Sequence, residues 1–459
     1  MIPINEYMKC STRQYMYWPH LIAHITFLFC VIPFSRGVSE TGRKNAFISP
    51  FFYQSICYFA SGLALYLIAN KEGAQQPEDC DTQLLYTIIF GGIVIGVQIL
   101  RAQLSVAAHS IATVDFEISQ VAVIGAIAAG QSLLSFVSVM FQDWIMRDNQ
   151  YNLYGPYAFY ILGGFMMAFY LMNLMILPTS FNDGQLEHLR HTPIIFRQNS
   201  EKLRRKEMGL DLKLVFSNKH TTFKALAASL SAFLFMTSFG FVFPLLTEKY
   251  RIPFYAISSI MSINNIIFAS VSLFTWVFTD CMMKKLVIFI AMLFVTPAIL
   301  LVSRAELFSD DLATQQFVVT IGLGTIAAFL PLLQVPLIPE LVSNFKAVRG
   351  SHADTKVNDF SAGVFFAFYT GGALTMNFMF GLGEYYTELP YDILLAVTVV
   401  FWICYASYVD VKSTCRKDLE EEVRISQRQP QARAYPVVHG ADTMPFYGTG
   451  IERVPTAIN

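Results

Sequence analysis

Eleven long apolar segments fill this chain, and one basic stretch, residues 179–220, divides them into five and six. That stretch carries Arg190, Arg197, Lys202, Arg204, Arg205, Lys206, Lys213 and Lys219 against five carboxylates. About 20 apolar residues in a helix cross a hydrocarbon core about 30 Å thick. The segments lie near 17–34, 49–70, 84–114, 119–145 and 156–178, then 222–246, 253–278, 284–303, 314–340, 358–382 and 389–411. They lack the period-two alternation of a membrane β-barrel. Composition agrees, with 54% hydrophobic and 14% charged residues, against about 25% charged in soluble domains. The class is therefore all-α and polytopic, a two-halved helical bundle of about 11 transmembrane helices. The expected organisation is an N-terminal helical half over 1–178 and a basic linker over 179–221. A C-terminal helical half over 222–411 and a polar, Pro-rich tail over 412–459 follow.

Orientation follows from Lys and Arg in short loops. Loops 35–48, 279–286 and 341–357 are positive, as are the linker and the tail, while the alternating loops are acidic or neutral. The positive set is expected in the cytosol, with the C-terminus cytosolic as well. In the tail, Tyr435-Pro-Val-Val fits the Tyr-x-x-apolar pattern read by sorting adaptors, a pattern short enough to arise by chance in an inert tail. The seven cysteines have no metal-ligand spacing. There is no Gly-rich phosphate loop, His-Glu-x-x-His or Cys-x-x-Cys. An enzyme, a cofactor, a metal and a nucleic-acid partner are therefore not expected. The lipid bilayer, a small-molecule substrate and protons are the expected partners.

Ionisable residues inside a membrane are costly, so each is a functional candidate. Arg101 is the sharpest. It either faces a cavity, a carboxylate or backbone carbonyls, or it snorkels to a membrane face. His109 lies two turns on, roughly on the same face. It reads as a proton-coupling group or as a satisfied structural histidine. Gln131, Asn264, Gln334 and Tyr369 are polar cavity candidates, with interhelical hydrogen bonding as the alternative. Pro331, Pro336 and Pro339 break a helical pattern, which is tolerated where backbone lines a cavity.

The whole layout resembles the major facilitator superfamily, and within it the vesicular amine and polyamine transporters. The likeness rests on Tyr154-Gly-Pro-Tyr, on Thr237-Ser-Phe-Gly-Phe-Val-Phe-Pro, on Val335-Pro-Leu-Ile-Pro-Glu and on Ser361-Ala-Gly-Val. Gly42-Arg43-Lys44 resembles the end of the superfamily's loop signature, with Ser39 where its Asp stands. Asp280 with Lys284 and Lys285 resembles a degenerate copy in the second half. In this register segment 17–34 corresponds to the second of twelve helices, and a first helix has no counterpart. The resemblance implies that Arg101 takes part in proton coupling, that the protein is an antiporter and that its substrate is an amine or polyamine. It places the protein in a vesicular or endolysosomal membrane, or in the plasma membrane. The family holds its cation with membrane-embedded carboxylates, and Gln334 stands near one such position. The expected function is secondary active transport of a small polar organic solute by alternating access. A transport-inactive relative acting as a membrane sensor or scaffold is the alternative.

Overall fold

A computed structural model describes residues 13–71, 80–116, 119–147, 151–178, 215–216, 219–240, 242, 245–349, 355–382 and 389–408. Most of the basic linker and the whole tail with Tyr435 lie outside them. The described residues are mostly helical. Before the linker come α1 (Arg13–Thr41), α2 (Arg43–Lys71), α3 (Cys80–Val114), α4 (Gln120–Arg147) and α5 (Tyr151–Ile176). After it come α6 (Lys219–Phe235), α7 (Phe254–Cys281), α8 (Lys284–Ser303), α9 (Leu312–Gln334), α10 (Leu337–Arg349), α11 (Thr355–Leu382) and α12 (Leu389–Tyr408).

Nine stretches among the described residues are long and apolar enough to cross a bilayer, α9 and α10 counting together as one. Of the eleven segments read from the sequence, α2 and α11 fall short of that apolarity. Both are long enough: 29 and 28 residues rise about 42 Å at 1.5 Å per residue. Their polar residues lower their mean hydropathy. Several of these, Arg43 and Gln54 on α2 and Asn358, Asp359 and Ser361 on α11, are buried against neighbouring helices. Large apolar side chains such as Phe29, Phe165, Met175, Phe274 and Phe317 are exposed. In water such a surface would aggregate; in a bilayer it faces lipid.

Two helices are broken. Pro336 has no N–H to continue the α9 ladder, and α10 restarts one residue later. After Phe235, α6 continues as wider turns at Met236–Gly240 and Leu245–Lys249, the single-turn bulges that often mark functional sites.

Helices α1, α3, α2 and α5 pack among themselves, as do α6, α11, α10, α9, α8 and α7. The two sets meet where α1 and α3 pack on α11 and where α4 packs on α7. Close approach is set by glycine. A Cβ at Gly363 of α11 would lie 2.4 Å from Ser35 of α1, and one at Gly125 of α4 would lie 2.3 Å from the Ser272 carbonyl of α7. Within the second set a Cβ at Gly372 would fall 2.1 Å from the Ser229 carbonyl. Aromatic groups tie the second set together: Phe235 and Phe239 of α6 and its continuation pack on Phe268 of α7, and Phe345 of α10 on Phe360 of α11.

Ion pairs brace both ends of the second set. At the end that holds the α6, α8 and α11 N-termini, Lys224 pairs with Glu340, both largely buried. The Tyr405 hydroxyl donates to the Lys285 carbonyl there. At the other end Lys249 donates to the Ser303 carbonyl at 2.9 Å and pairs with Glu306 at 3.0 Å. Arg304 holds Asp392 at 2.5 Å. The Tyr250 hydroxyl donates to the Val302 carbonyl at 3.0 Å. The broken tip of α6 is thus pinned to the α8–α9 turn.

Partial burial works against the ionised Glu306. Its backbone amide, Lys249 and Arg304 outweigh this and hold its carboxyl below the usual range. A depressed carboxylate stabilises the folded state above its unfolded pKa and loses that contribution as pH falls through the depressed value. The pairing should therefore persist at pH 5.5, and Glu306→Gln should lower Tm equally at pH 7 and 5.5. The difference between variant and wild type should shrink only below about pH 4, as a thermal-shift series would show.

Candidate functional site

The interface between the two helix sets is closed at one end by a buried ion pair, and an exposed arginine, Arg101, stands farther along α3. The seal begins with Gly42, whose φ of 85° ends α1 and starts α2. A side chain is strained in that left-handed conformation. The turn places Arg43 at the first position of α2, pointing at α3 and α11. Arg43 Nε donates to Ser110 Oγ at 3.0 Å and to Asp359 Oδ1 at 3.3 Å. Nη2 donates to both Asp359 oxygens at 3.2 Å, and the Ser110 hydroxyl donates to Asp359 Oδ1. Arg43 is 7% exposed, Asp359 1% and Ser110 0%. This is a forked, charge-assisted contact shielded from water, the geometry in which such pairs are strong.

Further contacts extend the seal. Asn358 Nδ2 donates to the Thr113 carbonyl at 2.8 Å. The His109 ring packs edge-on against Phe366 with centroids 4.7 Å apart. Its Nδ1–H donates to the Ser105 carbonyl at 2.8 Å. Beside the seal, Lys44 donates to the Leu174 and Leu177 carbonyls at 3.4 and 2.5 Å, where a cation complements the C-terminus of α5. Asp115, just past α3, has its carboxyl pushed up by burial, with Arg43 opposing.

Above the seal the polar side chains change character. Arg101 precedes His109 by two turns on the side of α3 that faces α11, about 12 Å farther from the seal at 1.5 Å per residue. It is exposed, and among the described residues no carboxylate pairs with it. Its charge reaches the hydroxyls of Tyr58 on α2 and Tyr369 on α11. Tyr369 lies one turn above Phe366. Its hydroxyl lies near the side chain of Gln334, at the α9 break. Oε1 of Gln334 is buried with no hydrogen-bond partner among the described residues. Arg101, Tyr369 and Gln334, singled out on three separate helices, thus converge, and Tyr58 joins them.

The other sequence candidates lie elsewhere. His109 is buried in the seal with its ring and Nδ1 both engaged. Asn264 is 3% exposed and faces α9, its Oδ1 3.9 Å from where a Cβ of Gly324 would stand. Gln131 is exposed on α4 beside Ser132, whose hydroxyl donates to the Asn265 carbonyl at 2.9 Å. Asp280 is exposed at the end of α7, and Lys284 and Lys285 act on the Lys224–Glu340 pair. Ser110, Asp359 and Lys224 escaped the sequence reading, and Glu340 entered it only as the end of the stretch from Val335. The available signal was that Asp359 is the single carboxylate between 355 and 382.

No protein-family model matches the sequence, and no curated protein does. Solved structures do. The chain superposes with a TM-score of 0.61 on a major facilitator superfamily proton:xylose symporter, XylE, bound to 6-bromo-6-deoxy-D-glucose. The identity is 11%, over 89% of this chain and 90% of that one. The transporter FucP in its outward conformation gives 0.58 at 12% identity, over 88% and 93%. A bacterial homologue of the iron transporter ferroportin, outward-facing with soaked iron, gives 0.58 at 10%, over 87% and 92%. With these likenesses, the helical architecture and the two-set interface together, the chain has the fold of the major facilitator superfamily.

Proposed function

We propose that the protein is a secondary carrier of a small polar organic solute that works by alternating access. The halves that rock are residues 1–178 and 222–411, joined by the linker 179–221. The observation that carries this reading is the contrast across one interface. Arg43, Ser110 and Asp359 close one end between the two sets, while Arg101 lies exposed between them farther up. The distribution of Lys and Arg assigns the sealed end to the cytosol, so the cavity opens to the lumen or exterior. A carrier must break such a seal in each cycle, and a discrete ion-pair cluster supports two states better than a continuous apolar core does. Nothing in this cycle requires covalent chemistry, and a proton is the expected coupling ion.

The resemblance to vesicular amine carriers points to an amine or polyamine. Such a cation needs a free carboxylate in the cavity. Among the described residues, the carboxylates buried between helices, Asp359 and Glu340, are both committed to cations at the sealed end. The general solute reading is therefore the one the site supports best.

Reconstitution tests it. Purified protein in proteoliposomes should accumulate or exchange at least one class among amines, sugars and organic anions, with or without an imposed proton gradient. Substitutions that break the seal should abolish concentrative uptake. Absence of flux for every class, with solute binding retained, would favour the transport-inactive sensor instead.

A further inference from the structure

We propose that the cavity above the seal binds a small organic monocarboxylate, with Arg101 holding the carboxylate group and Tyr369 and Gln334 holding a neighbouring hydroxyl or carbonyl. The inference deepens the carrier reading and rests on it for the claim that the bound molecule is moved.

Arg101 stands near the middle of the Gly91–Val114 span, where an ionised side chain is costly unless something compensates it. Every other cation described at depth in the structure has a compensating partner. Arg43 has Asp359, Lys44 has the end of α5 and Lys224 has Glu340. Arg101 has none among the described residues, and its side of α3 faces the opposing helix set. That the side faces inward follows from residues along it. One turn on, Ser105 is buried; two turns on, His109 packs on Phe366 of α11. Directly after that, Ser110 meets Asp359. At the level of Arg101 the side chain is exposed, on the stripe of α3 whose next two turns pack toward α11.

The neighbours define the ligand. A guanidinium offers two parallel N–H groups that match a planar carboxylate. Tyr58, Tyr369 and Gln334 are neutral hydrogen-bonding groups. Gln334 brings a buried carbonyl oxygen that lacks a donor, which costs stability until a ligand hydroxyl or water satisfies it. One cation among neutral polar groups suits a monoanion. A phosphate ester, with nearly two charges, calls for a second cation. An ammonium would meet repulsion from Arg101 and, among the described residues, no carboxylate.

Purified full-length protein in detergent micelles decides the matter by thermal-shift titration with lactate, pyruvate, acetate, lactamide, glycerol phosphate and spermidine. Lactate or pyruvate should stabilise the wild type, and lactamide, which keeps the hydroxyl and loses the charge, should do so at least roughly tenfold more weakly. Arg101→Gln should remove the difference between lactate and lactamide; Arg101→Lys should retain part of it, because Lys keeps the charge without the fork. Tyr369→Phe should weaken lactate more than acetate, a readout that general loosening would not give. Should Arg101→Gln fail to fold, the wild-type comparison of acid with amide and the Lys variant carry the test. Equal binding of lactate and lactamide, preference for spermidine or glycerol phosphate, binding of none of the acids, or unchanged discrimination in the variants would each overturn the proposal. The carrier reading fails separately: acids that bind through Arg101 but never cross proteoliposomes would leave the site standing and remove the transport.

Discussion

Asp359→Ala is expected to be the most damaging single change in the chain. It leaves Arg43 7% exposed with the Ser110 hydroxyl as its remaining described hydrogen-bond partner. Breaking a buried ion pair by removing one partner costs roughly 3–5 kcal/mol, because the other charge stays desolvated. Removing both charges is a different experiment. Replacing a buried pair by apolar groups of similar size is often neutral, so Arg43→Met with Asp359→Leu should recover most of the lost Tm. The four proteins of that cycle, unfolded in one detergent, give the coupling energy directly. The functional signature should not follow stability. The double variant should fold and still leak, because its interface can pack but no longer has an ion pair to register the closed state. Labelling of a cysteine at position 113 by a membrane-impermeant thiol reagent from the linker side should be faster than in wild type. A double variant as protected and as concentrative as wild type would remove the seal from the mechanism.

The second large effect is expected at Gly125. A Cβ there would sit 2.3 Å from the backbone carbonyl of Ser272, and a carbonyl on a continuous helix cannot swing away as a side chain can. Gly125→Ala must push α4 and α7 apart. Overpacking of this kind costs roughly 1–3 kcal/mol, and here it falls on an interface between the moving sets. Gly130→Ala is the control. It lies five residues along the same helix, with nothing within 4 Å of its Cβ position, so the gain in helix propensity should leave Tm unchanged or slightly raised. Gly125→Ala should lower Tm and slow exchange of labelled solute across proteoliposomes. Equal behaviour of the two variants would mean that the close approach is not a constraint in the membrane.

The sites differed in how far the sequence exposed them. Arg101 was legible because an arginine in the middle of an apolar run is expensive wherever it points. Gln334 was legible through the prolines around it, and Tyr369 through its place in a long apolar segment. That the three meet was not legible, since Arg101 lies more than 200 residues before the other two in the chain. Arg43 read as part of a loop signature, yet it is buried between helices. Asp359 read as nothing at all, because a carboxylate four residues into a helix after a polar loop looks like a solvated end. His109 shared a face with Arg101, as helical spacing requires, but the face changes from seal to cavity between them.

Apolar run length and the placement of Lys and Arg were enough to establish an all-α membrane protein with its helices in two groups, because spanning a bilayer imposes those features on each segment separately. Which helix faces which is a different kind of information. The Arg43–Asp359 bond, the glycine contacts at 125 and 363 and the convergence of Arg101, Tyr369 and Gln334 all depend on packing between segments distant in the chain. A hydrophobic pattern reports that a residue leaves water, not what it then touches, so only the tertiary arrangement separates the sealed end from the open one.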